Sequence, residues 1–380
     1  MTVEAGRSFG AMNMTFNKVI MVIMSCCIVI GAVDYLCGNR WGLGKRFTEG
    51  LEAFCPLFLM MGGILAIVPL VEGYVAPLIA PLFRFIGTDP GVFPGMLLAD
   101  DCGAYFLSES LADNRQAGEF GGMLVGAVVG VNVIFNLPVA LGMIPEKDRG
   151  DVALGFLFGF VTLPIGCLFG GLTMRMPFIL LLKQMLPVLM VSAVIGVMLK
   201  LYPNTLIKVF VVLGKVMTWL ALCGIIVAVL AKLLDFEGRV KLATVESCLN
   251  TVGIVVIVLP GAYVLVTLLS RLFKTVFTRL GGWLGINEVS VLGLLSTLAN
   301  TIPTFALVKD MDRKGKVLNF AFMTSASFAF ADHLAFCTAV APKLLLPMLV
   351  TKLTAAVAAF LLAWAVMRAK MKDERPKDIG

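Results

Sequence analysis

Pro94-Gly-Met-Leu-Leu-Ala-Asp-Asp-Cys-Gly-Ala-Tyr-Phe-Leu-Ser-Glu109 is apolar enough to lie in a membrane, yet it carries adjacent acids at Asp100 and Asp101 between Gly95 and Gly103. A charge near the bilayer centre costs about 2.5 to 3.5 kcal/mol even on lenient insertion scales, so an acid pair there marks a functional site by default. A second stretch of the same character follows at Leu298-Ala-Asn-Thr-Ile-Pro-Thr-Phe305, again polar and again broken in the middle.

The surrounding chain decides what houses these stretches. Of its 380 residues 59% are hydrophobic and 14% charged, and the mean hydropathy is +0.96, which excludes an ordinary soluble protein. The apolar runs have the length of α-helical spans and lack the alternation of barrel strands. The sequence therefore predicts an all-α polytopic membrane protein, a single transmembrane domain over residues 1–380. Nine full spans are expected at 19–37, 53–71, 118–144, 152–172, 178–199, 206–234, 247–269, 317–341 and 344–367. Two further stretches, 93–111 and 289–308, are interrupted by acids, amides, Gly and Pro, each after a segment that reads as interfacial (74–86 and 271–284). Arg7 and Lys18 before the first run resemble a signal peptide, but no small-residue cleavage site follows, so that run is read as a retained span.

The order of features repeats. Each half runs full span, interfacial segment, Gly-x-[Asp/Asn] turn (Gly87-Thr-Asp89, Gly285-Ile-Asn287), broken segment, then a span with polar residues at its middle. Matching interrupted segments in two halves are the best sequence pointer to a transporter's binding site. If both broken segments enter and return, the basic clusters at Arg40, Lys45 and Arg46, at Arg271, Lys274 and Arg279, at Lys309 to Lys316 and in the tail fall on one side. The positive-inside rule makes that side cytoplasmic, with the N-terminus outside and the C-terminus inside. The expectation is two re-entrant helical hairpins in two inverted repeats, at about 53–172 and 247–367 joined by connecting helices at about 178–234. Non-helical backbone at membrane depth must be buried in protein or line a wet cavity, and facing tips would provide one.

The candidate binding residues are Asp100, Asp101, Tyr105, Asn132, Asn136, Asn300, Thr301, Phe305, Asp332 and His333. Adjacent carboxylates repel unless a cation sits between them, which suits Asp100 and Asp101 to a small cation; the plainer alternatives are a protonated acid or a helix cap. Asn132 and Asn136 share one helix face, and their counterpart in the second half is Asp332-His333. Tyr105 and Phe305 stand one turn past the two tips, where rings can hold an ammonium or simply pack. Glu109 reads as a charge at a segment end.

Other classes are excluded by what is missing. His333 is the only histidine, which rules out a His-cluster metal site and an HExxH protease; no metal is expected. None of the nine cysteines forms a CxxC pair, no GKS or GKT nucleotide loop occurs, and no cofactor is implied. Intramembrane aspartyl proteolysis would need Tyr-Asp and GxGD, whereas the chain has Asp34-Tyr35 reversed and no GxGD, so it is not read as an enzyme. The net charge of +7 is spread over short loops and the tail, a signature of topology and not of nucleic-acid binding.

Taken together, Leu97-Leu-Ala-Asp-Asp-Cys-Gly103, Leu137-Pro-Val-Ala-Leu-Gly142, Leu163-Pro-Ile-Gly-Cys167, Thr297-Leu-Ala-Asn-Thr-Ile-Pro303, Met311-Asp-Arg-Lys-Gly-Lys-Val317 and Asp332-His-Leu334 resemble the bacterial ethanolamine-utilisation membrane transporters of the EutH type. The resemblance covers about residues 50–360, with departures at Ala104, Thr301, Ala331 and Ala335. It implies a permease of the cytoplasmic (inner) membrane that imports protonated ethanolamine, by uniport or with a coupled proton, into cells that degrade it through an ammonia-lyase pathway. The partners expected are the small amino alcohol and the lipid bilayer, with homo-oligomerisation left open. The alternative reading is a carrier for another small polar metabolite or nucleoside with a similar hairpin architecture.

Overall fold

The computed structural model describes residues 2–237 and 241–373, and among them no strand occurs. Among the described residues eight helices are long and apolar enough to cross a membrane. They are α1 (Phe16–Leu36), α2 (Leu43–Phe85), α5 (Arg115–Met143), α6 (Glu146–Thr173), α7 (Phe178–Leu201), α8 (Pro203–Leu233), α9 (Val245–Leu284) and α14 (Pro342–Ala369). Between α2 and α5 lie the short helices α3 (Phe93–Leu97) and α4 (Ala104–Leu111). Between α9 and α14 lie α10 (Glu288–Thr297), α11 (Thr301–Leu307), α12 (Arg313–Ala326) and α13 (Asp332–Val340). The protein is a multi-pass membrane protein, and residues such as Ile179, Val212, Trp219, Leu272 and Val357 turn apolar side chains outward, as a lipid-facing surface requires.

Two features differ from the sequence expectation. The segments read as interfacial are continuous with their spans, because α2 runs on to Phe85 through a π turn at Val71–Val75 and α9 runs on to Leu284. The span expected at 317–341 is split into α12 and α13. Its helical ladder stops because the N–H groups of Phe328 and Phe330 donate instead to Thr297 O and Leu298 O, at 3.1 and 3.0 Å.

Each broken stretch folds back on itself. In the first, α3 and α4 are joined by extended Leu98 and Ala99 and a tight turn over Asp100–Cys102, closed by Gly103 at φ +98°, a conformation that L side chains rarely adopt. In the second, the arms α10 and α11 are tied by a Thr297–Thr304 hydroxyl contact of 3.1 Å and by Thr304 Oγ1 donating to Gly293 O at 3.0 Å. Both hairpins are closed at the base by the same device. Asp89 accepts from Asn114 N at 2.8 Å and Asp113 N at 3.3 Å, while Asp312 accepts from Asn287 N at 2.9 Å. Asp89, Asn114, Asn287 and Asp312 each also cap the helical turn that follows, which satisfies donors that would otherwise be left open. The acid stands before the first hairpin and after the second, with the amide in the opposite place.

The first hairpin lies on α5 with almost no side chain between them. α5 is wound in wide π turns over Phe120–Gly130 and again over Asn132–Asn136. The steps from Gly121 to Gly126 to Gly130 are longer than the 3.6-residue α turn, and the wider winding keeps all three toward the hairpin. A Cβ on Gly95 would come within 1.9 Å of Gly121 O, and one on Gly130 within 1.8 Å of Leu98 O. The same small-residue logic joins α6 to its neighbours: Gly155 abuts Phe320, Gly159 abuts Thr324 and Gly166 abuts Thr351. Without a solvophobic drive between helices in lipid, such close approach supplies the packing energy.

Candidate substrate-binding site

The turn at the first hairpin tip carries Asp100 and Asp101, and the start of α13 carries Asp332 and His333. The fold brings these together. Asp100 is fully enclosed, and its Oδ1 lies 2.8 Å from Nδ1 of the equally buried His333. Ligand atoms of Asp100, Asp101 and His333 all lie within 4.8 Å of one another. Asp332 accepts from the Tyr263 hydroxyl of α9 at 2.8 Å and lies within electrostatic reach of both tip acids. Above the imidazole, Phe328 stacks at 5.7 Å with its ring nearly parallel. Phe328 holds φ at +59°, a left-handed conformation that costs a bulky residue of the order of 1 to 3 kcal/mol. The break between α12 and α13 holds Phe328 there through its backbone bond to Thr297.

A second polar cluster also joins the two halves. Asn132 donates to Val128 O at 2.7 Å and to Thr324 O across the interface. Asn136 donates to Asn132 Oδ1 at 3.1 Å and to Ser327 Oγ at 3.0 Å, and accepts from Thr301 at 3.2 Å. Each hairpin tip therefore meets a span of the other half, Asp100 at His333 and Thr301 at Asn136.

Three more of the residues expected at the site make contacts within the framework. Asn300 uses its carbonyl oxygen to cap α11 through Ile302 N at 2.9 Å. It borders a pocket of about 490 Å³ that Arg46, Glu49, Tyr263, Arg271 and Ala331 also line. Phe305 stacks on Phe320 at 6.0 Å. Tyr105 donates to Glu109 at 2.8 Å and packs edge-on against Phe106 and Phe336.

Sequence reasoning did not single out Lys352, Tyr263, Thr324 or Ser327. Lys352, on α14, is fully buried; its Nζ donates to Ala127 O at 2.6 Å and lies 3.3 Å from His333 Nδ1. Its signal was available, as a lone cation inside the apolar run 344–367. The spacing of Asp100, Asp101 and His333 is one that a cation could bridge, but the Lys352 ammonium already brings positive charge to that point. What the cluster offers chemically is several grouped carboxylates, one of them bonded to the Tyr263 hydroxyl, and Tyr263 also lines the vestibule of about 490 Å³.

The ethanolamine utilisation protein family, EutH, matches residues 16–366 of the chain. A probable ethanolamine permease EutH from Listeria monocytogenes serotype 1/2a (strain 10403S) is 36% identical over 365 residues, covering 96% of this chain and 98% of that relative. Proteins of the same name from Salmonella typhimurium (strain LT2) and Escherichia coli (strain K12) are 36% and 35% identical over 384 residues, each covering 91% of this chain and 94% of the relative. No solved structure matches the fold. With the family signature running through the hairpin tip, the broken span and nearly every helix between, the chain belongs to the EutH family of ethanolamine utilisation proteins.

Proposed function

We propose that this protein is a permease that carries protonated ethanolamine inward across the cytoplasmic membrane, with its C-terminus in the cytoplasm. The observation that carries the reading is the convergence of Asp100, Asp101 and Asp332, from a hairpin tip and a broken helix, inside a bundle of long apolar helices. An ammonium is three donors with no acceptor, so it asks for acceptors alone, whereas the alcohol can be met by amides, hydroxyls or the Tyr263 side. Asn132 and Asn136 spend their bonds on the framework, so the vestibule residues, Asn300 among them, are better placed for the hydroxyl.

Alternating access would run between two inverted repeats. The mirrored clasps at Asp89–Asn114 and Asn287–Asp312 support that arrangement, and five long helices, α5 to α9, separate them. An odd number of crossings would put the two hairpin bases on opposite faces of the membrane. The chemistry needs no coupled ion: a potential of about 100 mV supplies about 2.3 kcal/mol per charge, enough for roughly 50-fold accumulation of a cation. The protein would act as a carrier and not as an enzyme, feeding the pathway that deaminates the imported amino alcohol.

The deciding measurement is radiolabelled ethanolamine uptake into proteoliposomes at mildly acidic pH under an inside-negative potential. Accumulation that follows the potential and fails in Asp101→Asn is expected. Potential-independent uptake, or full uptake by that variant, would overturn the reading.

A further inference from the structure

A carrier for a cation has a difficulty at its centre if it also holds a fixed cation there, and Lys352 is such a cation. It is 0% exposed, and its ammonium is held by Ala127 O of α5 and His333 of α13. A buried ammonium needs a counter-charge, and the geometry offers one. His333 Nδ1 faces Asp100 Oδ1 at 2.8 Å on one side and Lys352 Nζ at 3.3 Å on the other. One ring nitrogen cannot donate to the acid and accept from the ammonium at once. The Lys352 ammonium, which can only donate, gives its bond to Nδ1, and Asp100 Oδ1 lies against the same imidazole as a close contact and not as a hydrogen bond. With Asp100 ionised and Lys352 charged on either hand of a neutral His333, the three form one enclosed unit whose formal charges cancel.

The other two acids are less enclosed than Asp100. Asp101 and Asp332 are only half-buried, Asp332 is met by the Tyr263 hydroxyl, and neither makes the 2.8 Å contact that sets Asp100 against His333 and so beside Lys352. We propose that Lys352 is the resident counter-cation of Asp100, acting through His333, and that Asp101 and Asp332 are the acids left to receive the substrate ammonium. This rests on the permease reading and assigns roles within it. Lys352 is thereby a positioning and selectivity residue: it spends one acid of the pair and leaves the pocket with the charge a single ammonium can balance.

The test is a comparison of paired neutralisations in the full chain, with uptake of labelled ethanolamine in proteoliposomes and thermal melting in detergent as readouts. K352M, which leaves Asp100 without its counter-charge, is expected to lose uptake by about a hundredfold or more, the scale of an orphaned buried charge. D100N/K352M is expected to take up ethanolamine at least about tenfold better than K352M, and its melting temperature to exceed that of either single variant, because the two losses cancel. D101N/K352M is expected to stay at background. Recovery in D101N/K352M, or a D100N/K352M double that melts and transports no better than K352M, overturns the proposal. Should the double not fold, D100N/K352Q, which keeps a donor for Ala127 O, is read by the same criteria, and failure of both doubles where a single folds also counts against it. The melting comparison needs no substrate, so it decides the pairing even if the unsubstituted protein takes up no ethanolamine and the permease reading itself fails.

Discussion

Thr301 donates its hydroxyl to Asn136 Oδ1 at 3.2 Å, joining the tip of the second hairpin to the π-wound part of α5. Asn136 is fully buried and also serves Asn132 and Ser327. Asn136→Ala would strand three polar groups, and a stranded buried group costs about 1 to 3 kcal/mol. The variant should melt several degrees lower in detergent and lose most uptake, while Thr301→Ser, which keeps the hydroxyl, should retain both; equal loss in the two would show that shape and not the hydrogen bond matters at this contact.

The basal clasps make a separable prediction. Asp89→Ala and Asp312→Ala each remove a helix cap and the bond that closes a hairpin, so each should lower stability by about 1 to 2 kcal/mol. Thermal melting of the purified variants checks this, with Asp89→Asn, which keeps an oxygen acceptor, falling between. A clasp whose removal leaves the melting curve unchanged would not be holding its hairpin.

Topology is open to labelling. Cysteines placed singly at Glu288 and Arg313, in a background lacking the native cysteines, should react with an impermeant maleimide from the same side, because Asn287 and Asp312 are bonded to each other. A cysteine at Asp113, beside the other clasp, should react from the opposite side if the repeats are inverted. Labelling of Glu288 and Arg313 from opposite sides would mean the second hairpin crosses the membrane.

Close backbone approach predicts a sharp contrast between two glycines on α5. Gly130→Ala puts a methyl against Leu98 O, an overpacking of about 1 to 3 kcal/mol that must be relieved by moving the turn that carries Asp100. Gly142 has open space where its Cβ would be. Uptake should fall steeply in Gly130→Ala and hold in Gly142→Ala, and equal behaviour would remove the close contact from the account.

Much of this layout was legible in the amino-acid order. Acids in an apolar run, paired Gly-x-[Asp/Asn] turns and matching interruptions mark the hairpins, since each needs a backbone that cannot continue as helix. The split of the span at 317–341 was not, because nothing in Ser327-Phe-Ala-Phe-Ala331 breaks a helix by propensity; the partner carbonyls of Thr297 and Leu298 do it. The π winding of α5 was invisible for a related reason, its glycines being explicable by close packing alone. Lys352 was overlooked because a single lysine in a span so often reaches along its stem to the interface, and only the folded chain shows it turned toward Ala127 and His333. Asn300, Phe305 and Tyr105 stand at tip-like places in the sequence but hold a cap, a ring stack and a Glu109 bond.

The glycine contacts of the first hairpin also bear on which part can move. Main chain resting on main chain leaves no side chains to repack, so sliding the first hairpin along α5 would break its contacts all at once. The second hairpin borders the pocket of about 490 Å³ beside α9 and has free volume on that flank. We infer a division of labour between stator and rotor: the arm carrying the acids stays seated while the arm carrying Asn300 swings. Spin-label distances from α5 should stay fixed to the first hairpin and change to the second when substrate binds, and the reverse pattern would exchange the two roles.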